Sequence, residues 1–126
     1  MANLQVLVVE DETALRVIYE RILVKTGCDV QLARDGHQAL QILETFTPDL
    51  MFLDMLLPYL SGFTVLEKIA TVPRIANHTK VVIASSSKEY ERHIGLVPDC
   101  TFILKPILPT QIRDIALALI TAQQTT

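Results

Sequence analysis

Short apolar runs alternate with amphipathic segments along almost the whole chain. The runs are typical of buried strands, and the run at 28–33 alternates apolar and polar residues as a strand at a sheet edge does. We predict strands at 4–9, 28–33, 49–54, 80–85 and 100–104. Apolar residues at helical spacing predict helices at 13–26, after 35, at 62–70, after 86 and from Pro109, with a loop around Pro73.

Capping residues and helix breakers set the ends of these helices. Asp35 is expected to cap the second helix, which Pro48 ends. Ser86 and Glu89 have the Ser-x-x-Glu spacing of a capping box, so we predict a fourth helix, kept short by Gly95. Because strands and helices alternate strictly, the chain is predicted to be an α/β domain. Right-handed crossovers would connect a parallel sheet that carries helices on both faces.

The composition supports this prediction and excludes some functions. Of 126 residues, 50% are hydrophobic and 6% aromatic, which is typical of an aliphatic α/β core. We predict one domain over 1–126, with a short polar tail from about residue 122. The net charge of -3 and the scattered basic residues argue against direct binding of nucleic acid. The sequence has neither a signal-like leader nor the roughly 20 apolar residues that span a bilayer, so we expect a cytoplasmic protein without a membrane partner.

Charged and hydroxyl residues stand where the predicted strands end. Because parallel strands all end at one edge of a sheet, these side chains are expected to lie together. They are Glu10 and Asp11 after the first strand, Asp54 at the end of the third, Ser85 after the fourth and Lys105 after the fifth. Taken alone, Asp54 is compatible with a nucleophile or metal ligand held by a rigid strand, and equally with a helix or turn cap.

Three carboxylates at one edge have a clear chemical consequence. They repel one another, which raises their pKa values unless they share a cation. Mg²⁺ is well suited, since it binds hard oxygen ligands and keeps several waters. A lysine and a hydroxyl beside that cation would complete an anion site suited to a phosphoryl group, which a carboxylate attacks in line.

Four pieces of sequence at these strand ends resemble, in order and spacing, the receiver domain of response regulators in two-component signalling. They are Val-Val-Glu-Asp-Glu at 8–12, Leu53-Asp54 with Pro58 and Gly62, Ile-Ala-Ser-Ser at 83–86, and Phe-Ile-Leu-Lys-Pro at 102–106. The resemblance covers nearly the whole chain. It implies a single flavodoxin-like, doubly wound (βα)5 domain with strand order 2-1-3-4-5. It also implies a phosphoacceptor signalling domain rather than an enzyme.

The resemblance assigns the phosphoacceptor and metal roles. Asp54 would accept a phosphoryl group from a sensor histidine kinase or a histidine phosphotransfer protein. Asp11 and Asp54 would bind Mg²⁺ or Mn²⁺ directly, and Glu10 through water. The Leu56 backbone carbonyl would be a further metal contact.

Switch and supporting roles are implied in the same way. Lys105 would pair with Asp54 and then with a phosphoryl oxygen. Ser85 would be the switch hydroxyl, and Phe102 the aromatic ring that turns inward when Ser85 is drawn to the phosphate. The supporting positions are Ser86, Pro58, Gly62 and Pro106, the last of which follows a cis peptide bond in the family.

Some positions depart from the usual pattern of the family. Phe102 lacks the phenolic hydroxyl often found there, so its rotation would change packing without moving a hydrogen bond. Ser86 replaces the more usual alanine, and Leu57 stands where methionine is frequent. The segment between Ser85 and Phe102 is also shorter than usual, which bears on the predicted fourth helix.

Two other functions match parts of the pattern. A receiver fold can bind partners without phosphorylation, although the complete set of site residues favours phosphorylation. A phosphatase of the haloacid dehalogenase type also uses an aspartate at a strand end with Mg²⁺. That chemistry needs a second acid two residues after the nucleophile, where this chain has Leu56.

The loop after Asp54 is unusually apolar, with Leu56, Leu57, Tyr59 and Leu60. It either packs over the third helix or exposes a docking patch for a kinase or phosphotransfer helix. Leu56 offers no polar group to orient an attacking water, so we expect a long-lived phosphoryl group.

The last helix has enough Ile and Leu for a homodimer face, unless its apolar stripe packs inward. The sequence leaves the downstream partner unidentified.

Overall fold

The structure, a computed structural model, describes residues 3–124. Its strands are β1 (Gln5–Val9), β2 (Asp29–Ala33), β3 (Leu50–Asp54), β4 (Lys80–Ser85) and β5 (Cys100–Leu104). Its helices are α1 (Thr13–Lys25), α2 (Gly36–Leu43), α3 (Gly62–Ala70), α4 (Pro73–Ala76) and α5 (Pro109–Gln124). A 3-10 helix over Lys88–Leu96, called the 3-10 segment below, separates β4 from β5.

The strands form one parallel sheet in the order β2-β1-β3-β4-β5. This is the predicted flavodoxin-like, doubly wound arrangement. β3 is buried throughout, whereas β2 alternates exposed and partly buried residues, which explains its alternating sequence pattern. All five strands end at the same edge, so the residues that follow β1, β3, β4 and β5 are brought towards one another.

Alternate residues of the sheet enter two hydrophobic cores, one on each face. In one core, Met51 and Ile83 pack with residues of α2, α3 and α4. In the other, Phe52 packs with α1 and α5, and its ring centroid lies 5.0 Å from that of Tyr19. The sheet is therefore clamped on both sides, which gives the strand ends a rigid base.

The apolar stripe of α5 faces inward, as predicted. Ile112 and Ala116 are buried, and Ile115, Leu119 and Ile120 are partly buried against the same core. Leu117 lies on the exposed side of the helix. The stripe that was a candidate homodimer face is thus largely used within the chain.

The predicted fourth α-helix is wrong, because the chain forms the 3-10 segment instead. The expected capping box does not form: among the described residues no hydrogen bond joins Ser86 to Glu89. The segment begins one residue later, after Ser87, whose side chain makes no capping hydrogen bond and whose N–H donates to Ser85 Oγ at 3.1 Å. Every residue of the segment is at least partly exposed, so little burial favours a regular α-helix there. His93 attaches the segment to α3, with its ring centroid 4.5 Å from that of Phe63.

The predicted loop around Pro73 contains the short helix α4. Four residues are too few to show helical periodicity, which is why the pattern did not indicate it. The Arg74 guanidinium of α4 donates to the Leu43 and Glu44 carbonyl oxygens at the end of α2. It thereby satisfies carbonyl groups that a helix end leaves without partners. α2 ends at Leu43, earlier than Pro48 indicated.

The C-terminal prediction needs a smaller correction. The polar tail expected from about residue 122 is helical through Gln124, and residues 125 and 126 lie outside the described range.

Within residues 3–124, none of the helices combines the length and apolar character needed to cross a bilayer. The predicted cytoplasmic location stays a prediction.

Candidate functional site

Asp54 is a carboxylate held at the end of the most buried strand. It is only 5% exposed, and its Oδ1 accepts a hydrogen bond from the Leu56 N–H at 3.0 Å. It does not cap the next helix, since Ser61 fills that role by accepting from the Thr64 N–H. The structure therefore leaves Oδ2 of Asp54 for other contacts at the sheet edge.

The chain after Asp54 returns immediately to the strand end. The Gly62 N–H donates to the Met55 carbonyl oxygen at 3.2 Å. A Cβ on Gly62 would lie 2.1 Å from the Asp54 carbonyl oxygen and 2.7 Å from Met55 Cα. Glycine is required here because the backbone of α3 touches the backbone that carries the acceptor.

Glu10 and Asp11 follow β1 and meet Asp54 at the same edge. Carboxylate oxygens of the three residues lie within 4.8 Å of one another. Glu10 is buried, at 2% exposure, and its Oε2 accepts from the Glu12 N–H at 3.2 Å, whereas Asp11 is exposed. Three hard oxygen ligands at this separation fit a divalent cation such as Mg²⁺.

Arg16 orients the acidic turn, a role that the sequence did not indicate. One nitrogen of its guanidinium donates to the carbonyl oxygens of Glu10 and Asp11, both at 2.8 Å. The other nitrogen donates to Thr13 Oγ1 at 3.1 Å. An arginine on the first turns of a helix looks like a surface residue in sequence, and no local pattern shows that it folds back onto the preceding loop.

Lys105 closes the site from β5. Its Nζ lies 3.1 Å from Asp54 Oδ2, as predicted, and 2.8 Å from Glu10 Oε1, a partner that the sequence did not indicate. The Lys105–Pro106 peptide bond is cis, as the family resemblance implied. One ammonium group therefore neutralises two buried carboxylates.

The shifts in pKa reflect this crowding of charge. Slight desolvation at the edge of the cluster raises the pKa of Asp11, and a hydrogen bond to Glu10 and the Glu10 charge raise it further. Burial by itself lowers the pKa of Lys105, but the hydrogen bond to Glu10 and the Asp54 charge outweigh it, so this pKa is raised. Asp11 thus lies in a negative environment that a bound cation would relieve.

The remaining predicted residues lie around this cluster. Ser85 is fully buried, and its Oγ accepts the Ser87 N–H, while its carbonyl oxygen accepts the Lys105 N–H at 2.9 Å. Phe102 is half-buried against the core shared with α3. Ser86, Pro58 and Pro106 are exposed. The inward turn of Phe102 and the Leu56 carbonyl as a metal ligand stay predictions.

The apolar loop after Asp54 divides into two sets. Leu57 and Leu60 pack against the core, whereas Leu56 is 51% exposed and Tyr59 is 90% exposed. The packing interpretation therefore holds for Leu57 and Leu60, whereas Leu56 and Tyr59 reach the surface, and a docking role for them stays a prediction.

The fold and the site together define a doubly wound α/β domain with an acidic cluster, compatible with a divalent cation, at the carboxyl edge of its sheet. The family model of the response regulator receiver domain matches residues 6–117. The chain therefore belongs to the response regulator receiver family of two-component signalling. Receiver domains of this kind accept a phosphoryl group from histidine kinases or phosphotransferases, and they are signalling modules rather than enzymes.

Curated relatives agree with this assignment. The chain is 30% identical over 112 residues to the Alkaline phosphatase synthesis transcriptional regulatory protein PhoP of Bacillus subtilis, covering 88% of this chain and 46% of PhoP. It is 28% identical over 119 residues to Sporulation initiation phosphotransferase F of the same organism, covering 90% of this chain and 91% of that protein. The chain thus spans less than half of PhoP and nearly all of the second relative.

Solved structures show the same fold. A CheY-like receiver domain protein from Methanospirillum hungatei superimposes with a TM-score of 0.83 at 23% identity, covering 98% of each chain. The receiver domain of the Francisella response regulator 1452 superimposes with a TM-score of 0.79 at 26% identity, covering 96% of this chain and 99% of that one.

Proposed function

We propose that this receiver takes a phosphoryl group onto Asp54 from the phosphohistidine of a sensor kinase or a histidine phosphotransfer protein. The observation that carries the proposal is the position of Lys105 Nζ, 3.1 Å from Asp54 Oδ2 and 2.8 Å from Glu10 Oε1. An ammonium group placed there neutralises the carboxylate before transfer and a phosphoryl oxygen after it.

The transfer is an in-line displacement at phosphorus. A carboxylate oxygen of Asp54 forms the new P–O bond, while the P–N bond breaks and the donor imidazole leaves with its electron pair. Glu10, Asp11 and Asp54, with the Leu56 carbonyl as a further ligand, would hold Mg²⁺ or Mn²⁺, which supplies positive charge for the phosphoryl oxygens. The Leu56 N–H keeps the Asp54 carboxylate in a fixed orientation for the attack.

The switch follows from the near-dianion that phosphorylation adds. Ser85 Oγ accepts the Ser87 N–H at the start of the 3-10 segment. When the Ser85 hydroxyl turns to the phosphoryl oxygen, the Ser87 N–H loses this acceptor and Phe102 turns inward. Because the 3-10 segment is weakly buried, a difference of a few kcal/mol between the states is enough to change the surface that a downstream partner reads.

We further propose that residues 1–126 form one receiver whose output passes through that partner. A homodimer formed through α5 would use the exposed Leu117 face of the helix, since its inward residues contact the sheet.

The central test is incubation of the protein with acetyl phosphate, with and without Mg²⁺, read by intact mass. We expect the mass of one phosphoryl group to be added, at least tenfold faster with Mg²⁺ than with a chelator. Asp54→Ala should gain no mass, whereas Asp114→Ala, which changes an exposed aspartate of α5, should behave as the wild type. Absence of any gain in the wild type, or its persistence in Asp54→Ala, would reject the proposal in favour of a phosphorylation-independent interaction module.

The lifetime of the phosphoryl group provides a second test. Leu56 presents an apolar side chain, 51% exposed, two residues after the acceptor, so we expect slow hydrolysis in the wild type. Leu56→Asn adds an amide that can orient water and should shorten the half-life about tenfold, which corresponds to ~1.4 kcal/mol in the barrier. Leu117→Asn, at an exposed leucine of α5, should leave it unchanged. Rapid decay that Leu56→Asn does not alter would contradict this prediction.

A further inference from the structure

The loop between β3 and α3 holds a bulky residue in a backbone conformation that L residues rarely adopt. Tyr59 has a φ of 66°, the sole positive φ outside glycine among the described residues. Across it the Leu60 N–H donates to the Pro58 carbonyl oxygen at 2.8 Å, closing a γ-turn. A left-handed φ suits glycine or asparagine, whereas for a bulky side chain it is an outlier.

Burial of the ring within the chain does not compensate for this strain. Tyr59 is 90% exposed, the highest value among the exposed large hydrophobic residues of the described chain. Strained residues of this kind persist where the surrounding structure holds them, and they cluster at functional sites. Because Tyr59 lies five residues after Asp54, its strained backbone and exposed ring together point to a role near the acceptor.

Both ends of the loop are fixed, so the ring is presented from a rigid support. Leu60 lies against α2 so closely that a Cβ on Gly36 would meet the Leu60 carbonyl oxygen at 2.6 Å. Gly62 bonds to Met55, and Ser61 caps α3. A rigid loop has less conformational freedom to lose on binding, which favours affinity.

The exposed ring stands in the loop that begins next to the acceptor. Leu56, 51% exposed, holds Asp54 through its N–H, and the two exposed large apolar side chains of this loop, Leu56 and Tyr59, are called the Tyr59–Leu56 patch below. Asp54 itself is only 5% exposed. A protein that brings a histidine to this recessed carboxylate must cover the loop that follows it, whereas a small phosphodonor need not.

We propose that the Tyr59–Leu56 patch is the docking contact for the histidine-bearing protein that phosphorylates Asp54, and that Tyr59 selects among such proteins; this rests on the function proposed above. Tyrosine supplies a large apolar area and a hydroxyl that needs a partner, which is typical of residues that dominate binding energy. Glu12, an exposed acid that is not among the proposed metal ligands, follows β1 at the same edge. The donor is thus expected to present an apolar crevice beside its histidine and basic side chains around it.

The test compares a small and a protein phosphodonor on the same variants. The probes are acetyl phosphate and an autophosphorylated, ³²P-labelled histidine kinase domain selected because it transfers label to the wild-type chain. Tyr59→Ala should react with acetyl phosphate at the wild-type rate but lose at least tenfold in kcat/KM for the kinase domain, mainly through KM. Val24→Ala, at an exposed residue near the far end of α1, should match the wild type with both donors.

A stability measurement separates a recognition role from a structural one. Tyr59→Asn relieves the backbone strain, so we expect its Tm to rise by about 3 °C while transfer from the kinase domain falls as in Tyr59→Ala. Equal kcat/KM values for the wild type, Tyr59→Ala and Tyr59→Asn would overturn this inference alone. Failure of the wild type to accept phosphate from acetyl phosphate would instead overturn the proposed function.

Discussion

Gly62→Ala is expected to lower the free energy of unfolding by at least about 3 kcal/mol. The new Cβ would lie 2.1 Å from the Asp54 carbonyl oxygen and 2.7 Å from Met55 Cα. Both neighbours are backbone atoms, so neither can rotate away, and the loop must move instead. That movement would break the hydrogen bond from the Gly62 N–H to the Met55 carbonyl oxygen. Urea unfolding followed by circular dichroism measures the loss.

Gly95→Ala is the matched control for this change. Within the described structure a Cβ on Gly95 meets nothing within 4 Å, and its φ lies outside the left-handed region, so we expect a change below about 0.5 kcal/mol. Any folded Gly62→Ala should also accept phosphate from acetyl phosphate more slowly, because the strand end that carries Asp54 is displaced. Similar unfolding curves for the two variants would show that the close approach at Gly62 is not needed.

The sheet could be predicted because its sequence signals are strong and local. The run at 49–54 is apolar throughout because β3 is covered on both faces, and β2 alternates because it lies at an edge. The strand ends then converge by topology alone, which is why Glu10, Asp11, Asp54 and Lys105 could be placed together. The specific pair between Lys105 and Asp54 was implied by the family resemblance and not by topology.

The parts that sequence reasoning missed depend on contacts between distant residues. Lys105 also binds Glu10, which is 95 positions away, and Arg74 caps α2 from 31 positions beyond Leu43. Spacing in sequence carries no signal for either contact. The Ser-x-x-Glu pattern predicted a helix at the 3-10 segment, but no residue of this segment is buried, so packing does not favour a regular α-helix there. In the fold, the side-chain hydrogen bond at this turn runs from the Ser87 N–H to Ser85 Oγ, and a 3-10 helix follows.

The position of Lys105 could be predicted from the sheet topology, but its contribution to stability could not. That contribution depends on its second partner, Glu10. The side chains of Glu10 and Asp54 are 3% and 6% exposed, and that of Lys105 is 22% exposed. Removing one partner of such a cluster leaves buried charge uncompensated. Lys105 is therefore expected to stabilise the unphosphorylated fold and also to speed the transfer of the phosphoryl group to Asp54.

Lys105→Met should lower the free energy of unfolding at pH 7 by roughly 2 kcal/mol and slow phosphorylation by acetyl phosphate about 100-fold. Mg²⁺ should recover part of the stability, since a cation bound by the three carboxylates replaces the missing charge. Lys80→Met is the control, because its partner Asp99 at 3.3 Å is exposed and such pairs contribute little.

The pH dependence of the difference in unfolding free energy between the wild type and Lys105→Met shows whether that difference is electrostatic. The pKa of Lys105 is raised in the folded protein, since the hydrogen bond to Glu10 and the Asp54 charge outweigh its burial. The folded state thus holds this proton more tightly than the unfolded state. The stabilisation is therefore complete below the ordinary lysine value of 10.5 and is lost as the pH rises through the higher folded-state pKa. We expect the gap between the wild type and Lys105→Met to be constant around neutral pH and to narrow above 10.5. If the difference in unfolding free energy between the wild type and Lys105→Met did not change at high pH, Lys105 would act through packing of its methylene chain and not through its charge. The same conclusion would follow if Lys80→Met lost as much stability as Lys105→Met.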